Sequence, residues 1–290
     1  MNGTSDLKYK FNRLDAFGKI IVINAVLFIL NLILVNVLRI DWLSRYFSLP
    51  SELSNFIFQP WSILSYGFLH ADFFHVIFNM LFLFYFSRTI VNLFKERLAL
   101  NIYFLGILSG GMFFITFANL LPVSLGFGGT LIGASAGVSA MLMFIAVYMP
   151  NSEIRLFNII TVKWRHIAMG FVAYDLIRIL MGVNVGGLMS HFGGYFLGYL
   201  YASRLAKGTD IGKGFERMAD NVASWFKPKS NLKTVHRKSQ PKRSTTANKG
   251  TSSALDKQKQ IDEILDKISK SGYDSLSAKE KEFLFKAGKD

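Results

Sequence analysis

The chain contains no cysteine, which excludes disulfide cross-links and thiolate chemistry and says nothing about compartment. It has no H-E-x-x-H, and His70 and His75 stand five residues apart, the wrong helical spacing for a metal pair, so no metal or other cofactor is expected. Acidic residues are missing altogether between Asp220 and Asp256, and charge of either sign is missing from several runs of about 20 residues. No A-x-A-like site follows the first of these runs, Ile20 to about Leu38, and the run is longer than a signal-peptide core, so it is read as a retained helix. What is abundant is apolar surface: 51% of 290 residues are hydrophobic, 15% are aromatic and 28 are Phe. That balance describes a polytopic membrane protein with a polar tail. The net charge of +14 requires no nucleic acid, because Lys and Arg accumulate on the cytoplasmic side of membrane proteins.

Taken in order, residues 1–19 are polar and basic and are expected on the cytoplasmic side. Six spans follow, at about 20–38, 73–93, 98–120, 132–148, 167–183 and 185–203. The long connection between the first two is too polar to span and too aromatic to float free, so it is expected in the outer interface, with Trp42, Tyr46, Phe47, Phe56 and Trp61 at headgroup depth. Arg88, Lys95, Glu96 and Arg97 mark one cytoplasmic turn, and Arg155, Lys163, Arg165 and His166 another. The connections 121–131 and 182–188 carry no Lys or Arg, so both termini are expected inside. The expected domains are a cytoplasmic segment 1–19, an all-α six-helix membrane bundle 20–205, a basic disordered linker 206–255 and a small helical module 256–290. Lys227, Lys229, Lys233, Arg237, Lys238, Lys242, Arg243 and Lys249 suit the linker either to contact with anionic lipid or to plain solvation. In the module, Ile261, Ile264, Leu265 and Ile268 fall on one helical face, Ser271-Gly272 ends that helix, and Ser277 with Glu280 forms a capping-box pattern opening a second.

The chemistry concentrates around residues 128–140, GGTLIGASAGVSA. Glycine-rich backbone of this kind is tolerated at membrane depth only when protein covers it or it lines a water-filled cavity. A helix starting near Ser135 aims its free N–H groups at that serine. Taken alone, Gly133 and Gly137 read first as a helix–helix contact. The wider pattern adds His70, His75 and His191, three of five histidines, in the same outer-half layer. His75 and Asn79 share a helical face, for which interhelical hydrogen bonding is the alternative. His191, Gly194 and Gly198 share another, and glycines below a histidine let that helix press on the one carrying Gly133 and Gly137. This is expected to bring His191 within hydrogen-bond reach of Ser135. A serine needs such a base to become a nucleophile, and His75, Asn79 and the Ser135 N–H are available as oxyanion donors. Asp175 and Arg178, at i and i+3, are expected to neutralise one another, which leaves Asp175 outside the catalytic set.

These residues resemble the rhomboid intramembrane serine proteases of bacterial type, through H-x-x-x-x-H-x-x-x-N at His70, His75 and Asn79, G-x-S-x at Gly133 to Ala136, and H-x-x-G-x-x-x-G at His191, Gly194 and Gly198. The three motifs fall on spans two, four and six, and the resemblance covers roughly 20–205. It implies a Ser135–His191 dyad without an acid and an oxyanion site at His75 and Asn79. It also implies single-pass transmembrane protein substrates cleaved within or near the bilayer, and a gate on the fifth span with Phe171, Tyr174 and Leu176 on the entry side. The implied location is the bacterial inner membrane. The alternative is a catalytically inactive relative that binds transmembrane clients.

The chain departs from the pattern at three places. Ala136 follows the serine where many members have Gly. Ser139 stands where many carry a tyrosine that stacks on the histidine. Ser87, Thr89 and Val91 replace the usual Gly and acidic residue at the end of the second span, weakening the polar tie expected there. A transporter would want broken helices paired across internal repeats, and only one broken region is evident.

Overall fold

The computed structural model describes residues 3–121, 128–156, 160–225 and 252–287. The chain divides into two compact units, Met1–Pro228 and Lys229–Asp290. The first is an all-α membrane bundle of six principal helices: α2 (Ala16–Asn36), α6 (Phe73–Val91), α7 (Glu96–Leu120), α8 (Ser135–Tyr148), α9 (Trp164–Leu180) and α10 (Val185–Ala206). Three of these, α2, α6 and α7, are long and apolar enough to cross a bilayer unaided. Large apolar side chains such as Val26 and Ile29 on α2, Phe74 and Phe78 on α6, Met169 and Ile177 on α9 and Phe196 on α10 face outward. A soluble domain would bury this surface, whereas lipid solvates it. The protein is an integral, multi-pass membrane protein.

Lipid offers little hydrophobic drive for helices to associate, so their contacts rest on close packing of small residues. Here α7, α8 and α10 meet backbone to backbone. A methyl group added at Gly194 would strike the carbonyl oxygen of Ala136, and one at Gly198 the carbonyl oxygen of Ala140. Gly106 and Gly110 on α7 receive the methyl groups of Ala140 and Ala136, and Gly193 lies against Ser109 and Gly110. Ser109 Oγ adds a hydrogen bond to the Gly193 carbonyl at 2.8 Å. Around this centre are packed Tyr103, Ile107, Phe144 and Tyr201, all fully buried.

Helix α8 has 14 residues. At 1.5 Å per residue it rises roughly 21 Å, about 9 Å short of a hydrocarbon core of about 30 Å. Helix α8 is therefore too short to cross such a core alone, and non-helical backbone leads into it at Ser135. That backbone is satisfied by the α2–α6 connection, which contains α3 (Trp42–Phe47), β1 (Leu49–Pro50), α4 (Leu53–Phe58), α5 (Ser62–Ser65) and a 3₁₀ turn at Tyr66–Phe68. Strand β1 pairs antiparallel with β2 (Thr130–Leu131), Ser51 N–H donates to the Gly129 carbonyl, and Gly133 N–H donates to the Tyr66 carbonyl. Tyr66 is itself fixed by its hydroxyl, which donates to the Ile107 carbonyl at 2.7 Å.

The far ends of α2, α6 and α7 are tied by charge despite the departures at Ser87, Thr89 and Val91. Arg88 pairs with Asp15 at 3.1 Å, and Glu96 accepts from Ala16 N–H at 2.7 Å. Other features differ from the expectation. The N-terminal segment is a helix, α1 (Gly3–Arg13), and α9 begins earlier than expected because a hairpin of β3 (Glu153–Leu156) and β4 (Ile160–Lys163) runs straight into it. The stretch assigned to a linker from residue 206 contains α11 (Lys213–Trp225), held to the bundle by Arg97, which pairs with Glu216 and Asp220. An apolar stripe following a polar turn hides such a helix behind the end of the last span. The basic cluster from Lys227 to Lys249 and part of the connection 121–131 lie outside the described residues.

The second unit holds α12 (Ser252–Ser271), a 3₁₀ turn at Tyr273–Ser275 and α13 (Ala278–Ala287). Of the expected apolar stripe, Ile264 is buried, Ile261 and Ile268 are partly buried and Leu265 is exposed. Gly272 ends α12 with φ +77°, a conformation that costs glycine little. The capping box forms: Ser277 N–H donates to Glu280 at 2.7 Å, Glu280 N–H donates to Ser277 Oγ at 3.4 Å, and Lys267 pairs with Glu280 at 2.9 Å.

Two outcomes follow. Gly198→Val should cost about 3 kcal/mol or more, since backbone surrounds the added atoms and cannot yield, whereas Gly170→Ala, at a helical site with open space, should be neutral or stabilising by up to about 1 kcal/mol; thermal unfolding in detergent compares them. In the second unit, hydrogen bonding from Lys267 and then from Ser277 holds Glu280 down at about 2. A carboxylate depressed on folding contributes stability that is complete above its unfolded value and is lost as pH falls through the folded one. Exchange protection of the α13 amides should therefore weaken between about pH 4 and pH 2 in the native chain and show no such step in Glu280→Gln.

Candidate active site

A cavity of about 710 Å³ opens between α6, α8, α9 and α10, and both Ser135 and His191 line it together with His75 and Asn79. Four elements therefore deliver their polar groups to one place. Ser135 is the first residue of α8. Its N–H and the next two have no intrahelical acceptor, and the first bond of the ladder runs from Val138 N–H to the Ala134 carbonyl. The turn before it depends on Gly133, whose φ is +124° and whose missing side chain leaves room for the His75 ring. An alanine methyl there would lie 2.7 Å from His75 Nε2.

Helix α6 begins at Asp72, whose carboxylate accepts from the His75 N–H at 2.9 Å as an N-cap. This fixes the first turn and the direction of the imidazole. His75 Nδ1 accepts from the Ala71 N–H at 3.4 Å, which assigns the ring proton to Nε2. That N–H is the atom directed at the Gly133 turn, so His75 presents a donor to the space above Ser135. One turn along, the Asn79 amide donates to the His75 carbonyl at 2.8 Å and retains a second N–H. His70 lies in the loop ahead of α6 and is buried, with its ring centroid 5.0 Å from that of His75, edge to face. Neither of its ring nitrogens has a protein partner among the described residues. Burial, and after it the neighbouring His75, press its imidazole down to about 3, so His70 is a neutral packing group under His75.

His191 is positioned by α10, three residues before Gly194. Its side chain is 22% exposed, toward the cavity. No hydrogen bond joins it to Ser135 among the described residues. The structure brings the two groups to a common cavity without the direct contact expected from the sequence. His191 Nδ1 is instead 2.9 Å from Asp175 Oδ2. A carboxylate only accepts, so the proton sits on Nδ1 and the lone pair on Nε2.

The pairing of Asp175 with Arg178 expected from their spacing does not form. Asp175 points inward at 3% exposure and takes a second hydrogen bond from the Tyr195 hydroxyl at 2.8 Å. Arg178 lies over the Tyr174 ring, 5.7 Å from its centre. The sequence signal for this contact is that His191 and Tyr195 stand at i and i+4, two donors on one face of α10. Tyr195 also lies against Ser139, and the small residue on α8 leaves space for it.

Of the residues expected on the entry side, Phe171 and Tyr174 line the cavity and Leu176 does not. Phe74, Phe78, Phe82 and Phe86 form a stacked ladder along α6, and Phe82 meets Phe171 edge to face at 5.3 Å. Both rings line the cavity where α6 faces α9. Chemically, the site combines a hydroxyl on a helix N-terminus, an imidazole with its lone pair on Nε2, and N–H donors from His75, Asn79 and Ser135. Gly133→Ala forces a side chain into positive φ and into the His75 ring, and should cost about 1 to 3 kcal/mol in thermal unfolding, more than Ala substitution of the unobstructed Gly170.

Residues 58–208 match the Rhomboid family, described as the rhomboid domain. Residues 252–287 match a family of unknown function (DUF6576). The chain is similar to RHOMBOID-like protein 12, mitochondrial, of Arabidopsis thaliana, with 26% identity over 158 residues, which covers 51% of this chain and 47% of that protein. The chain thus spans about half the length of that curated relative.

Proposed function

This chain belongs to the rhomboid family, and we propose that it is an intramembrane serine endopeptidase in which Ser135 is the nucleophile and His191 the general base. The observation that carries the reading is the convergence of Ser135, His191, His75 and Asn79, from three helices, on one cavity. In the proposed reaction Ser135 Oγ attacks the scissile carbonyl carbon while His191 Nε2 takes the hydroxyl proton. The negative oxygen that develops is met by the N–H groups of His75, Asn79 and Ser135. Collapse breaks the C–N bond, the imidazolium returns its proton to the leaving amine, and an acyl group remains on Ser135. Water, activated by the same imidazole, then releases the acid and restores the hydroxyl.

The substrate class is single-pass transmembrane proteins, which reach the cavity from the bilayer past Phe82 and Phe171. The proposed location is the bacterial inner membrane with both termini in the cytoplasm, a reading supported by the Lys and Arg of the loops assigned to that side.

The test is cleavage of a single-span model substrate in proteoliposomes. Wild type should release product, Ser135→Ala and His191→Ala should release none above background, and His75→Ala or Asn79→Ala should each lower kcat by about 10² to 10³. Equal product from wild type, Ser135→Ala and His191→Ala would overturn the reading and leave a member of the family that binds clients without cutting them.

A further inference from the structure

We infer that Asp175 is a positioning residue for His191, reaching the Ser135–His191 dyad from a third helix. This rests on the proposed protease reading. The geometry behind it is a buried carboxylate oxygen that accepts from His191 Nδ1 at 2.9 Å and from the Tyr195 hydroxyl at 2.8 Å. Burying a carboxylate inside a membrane bundle is expensive, and such a group persists when it is partnered and has a task. Only three residues of α9 are buried, Trp164, Ala168 and Asp175. The nearby cation does not explain the acid, since Arg178 stacks on Tyr174 instead. Both of its partners come from α10, and one of them is the proposed base.

Two consequences follow from this hydrogen bond. It selects the tautomer whose lone pair is on Nε2, the nitrogen that must take the Ser135 proton, and it holds the ring against rotation about χ2. It also places a negative charge beside the imidazolium formed during acylation. Tyr195 moderates that charge by donating to the same oxygen. The carboxylate need not gain a proton at any step. Because the acid is on α9 and the base on α10, displacement of α9 from α10 withdraws the support from His191. The titratable groups around the imidazole are His75 from α6, Asp175 from α9 and Tyr195 on its own helix, with Asp72, Tyr174 and Arg178 lining the same cavity.

The experiment measures kcat, KM and the pH profile of kcat for wild type, Ser135→Ala, Asp175→Asn and Tyr195→Phe as full chains in proteoliposomes, with melting temperatures taken on the same samples. Asp175→Asn should lower kcat by about 10²-fold or more with KM changed less than about threefold. It should also move the acid limb of the profile about 1 unit to lower pH, because the imidazolium loses its countercharge. Tyr195→Phe should move the limb the opposite way, since the carboxylate then serves the imidazole alone. A merely structural Asp175 would lower melting temperatures and leave the limb where it is. If Asp175→Asn does not fold, Tyr195→Phe decides: an upward shift supports the role and an unmoved limb overturns it. If wild type cleaves and Asp175→Asn matches it in kcat and profile, the positioning role fails while the protease reading stands. If wild type cleaves no more than Ser135→Ala, the protease reading fails and takes this inference with it.

Discussion

The structure depends on the backbone contact between α8 and α10. The carbonyl oxygens of Ala136 and Ala140 lie where side chains of Gly194 and Gly198 would otherwise be. In lipid, van der Waals contact and hydrogen bonding replace the hydrophobic drive that assembles soluble domains, and only small residues let two helices approach this far. The contact also sets the site. Ser135 immediately precedes Ala136, and His191 lies one turn before Gly194, so the spacing that packs the helices brings hydroxyl and imidazole to the same cavity. Helix α7 reinforces the arrangement from behind, receiving Ala136 and Ala140 at Gly110 and Gly106.

A second constraint is that α8 is too short to span alone. The shortfall lets a helix start, and with it a set of free N–H groups, lie within the membrane, where dipoles act more strongly than in water. It also exposes non-helical backbone, which membrane depth forbids unless partners are found. The long connection after α2 supplies them through the β1–β2 pairing, the Ser51–Gly129 bond and the Tyr66 carbonyl. The interfacial segment is therefore part of the site's support. The other wall is looser: α9 contributes few buried residues, and its contact with α6 near the cavity is largely aromatic.

Much of this was legible in the residues. Apolar runs announce the six spans even where Arg88 interrupts the second and Asp175 and Arg178 the fifth, and Gly194 and Gly198 at i+3 and i+7 from His191 identify the close face and its direction. The Ser277–Glu280 box is local chemistry and reads directly. Asp175 was not legible, because Arg178 one turn away on the same helix offers an obvious partner, and the competing donors lie on another helix. Tertiary packing decided the matter, turning the carboxylate inward to His191 and Tyr195 and the guanidinium outward to Tyr174. Helix α11 was obscured because the polar turn after α10 resembles the start of a linker, and its anchor, Arg97, lies more than a hundred residues away in sequence.

The most direct measurement is the structure of the protein in lipid after reaction with a fluorophosphonate. The expected result is a phosphorus–oxygen bond to Ser135 Oγ, with the phosphoryl oxygen accepting from His75 Nε2 and Asn79 Nδ2. The His191 ring should stand beside the adduct with Nδ1 still on Asp175. An adduct whose phosphoryl oxygen points away from His75 and Asn79, a His191 ring directed out of the cavity, or a Ser135 that remains unmodified would contradict it.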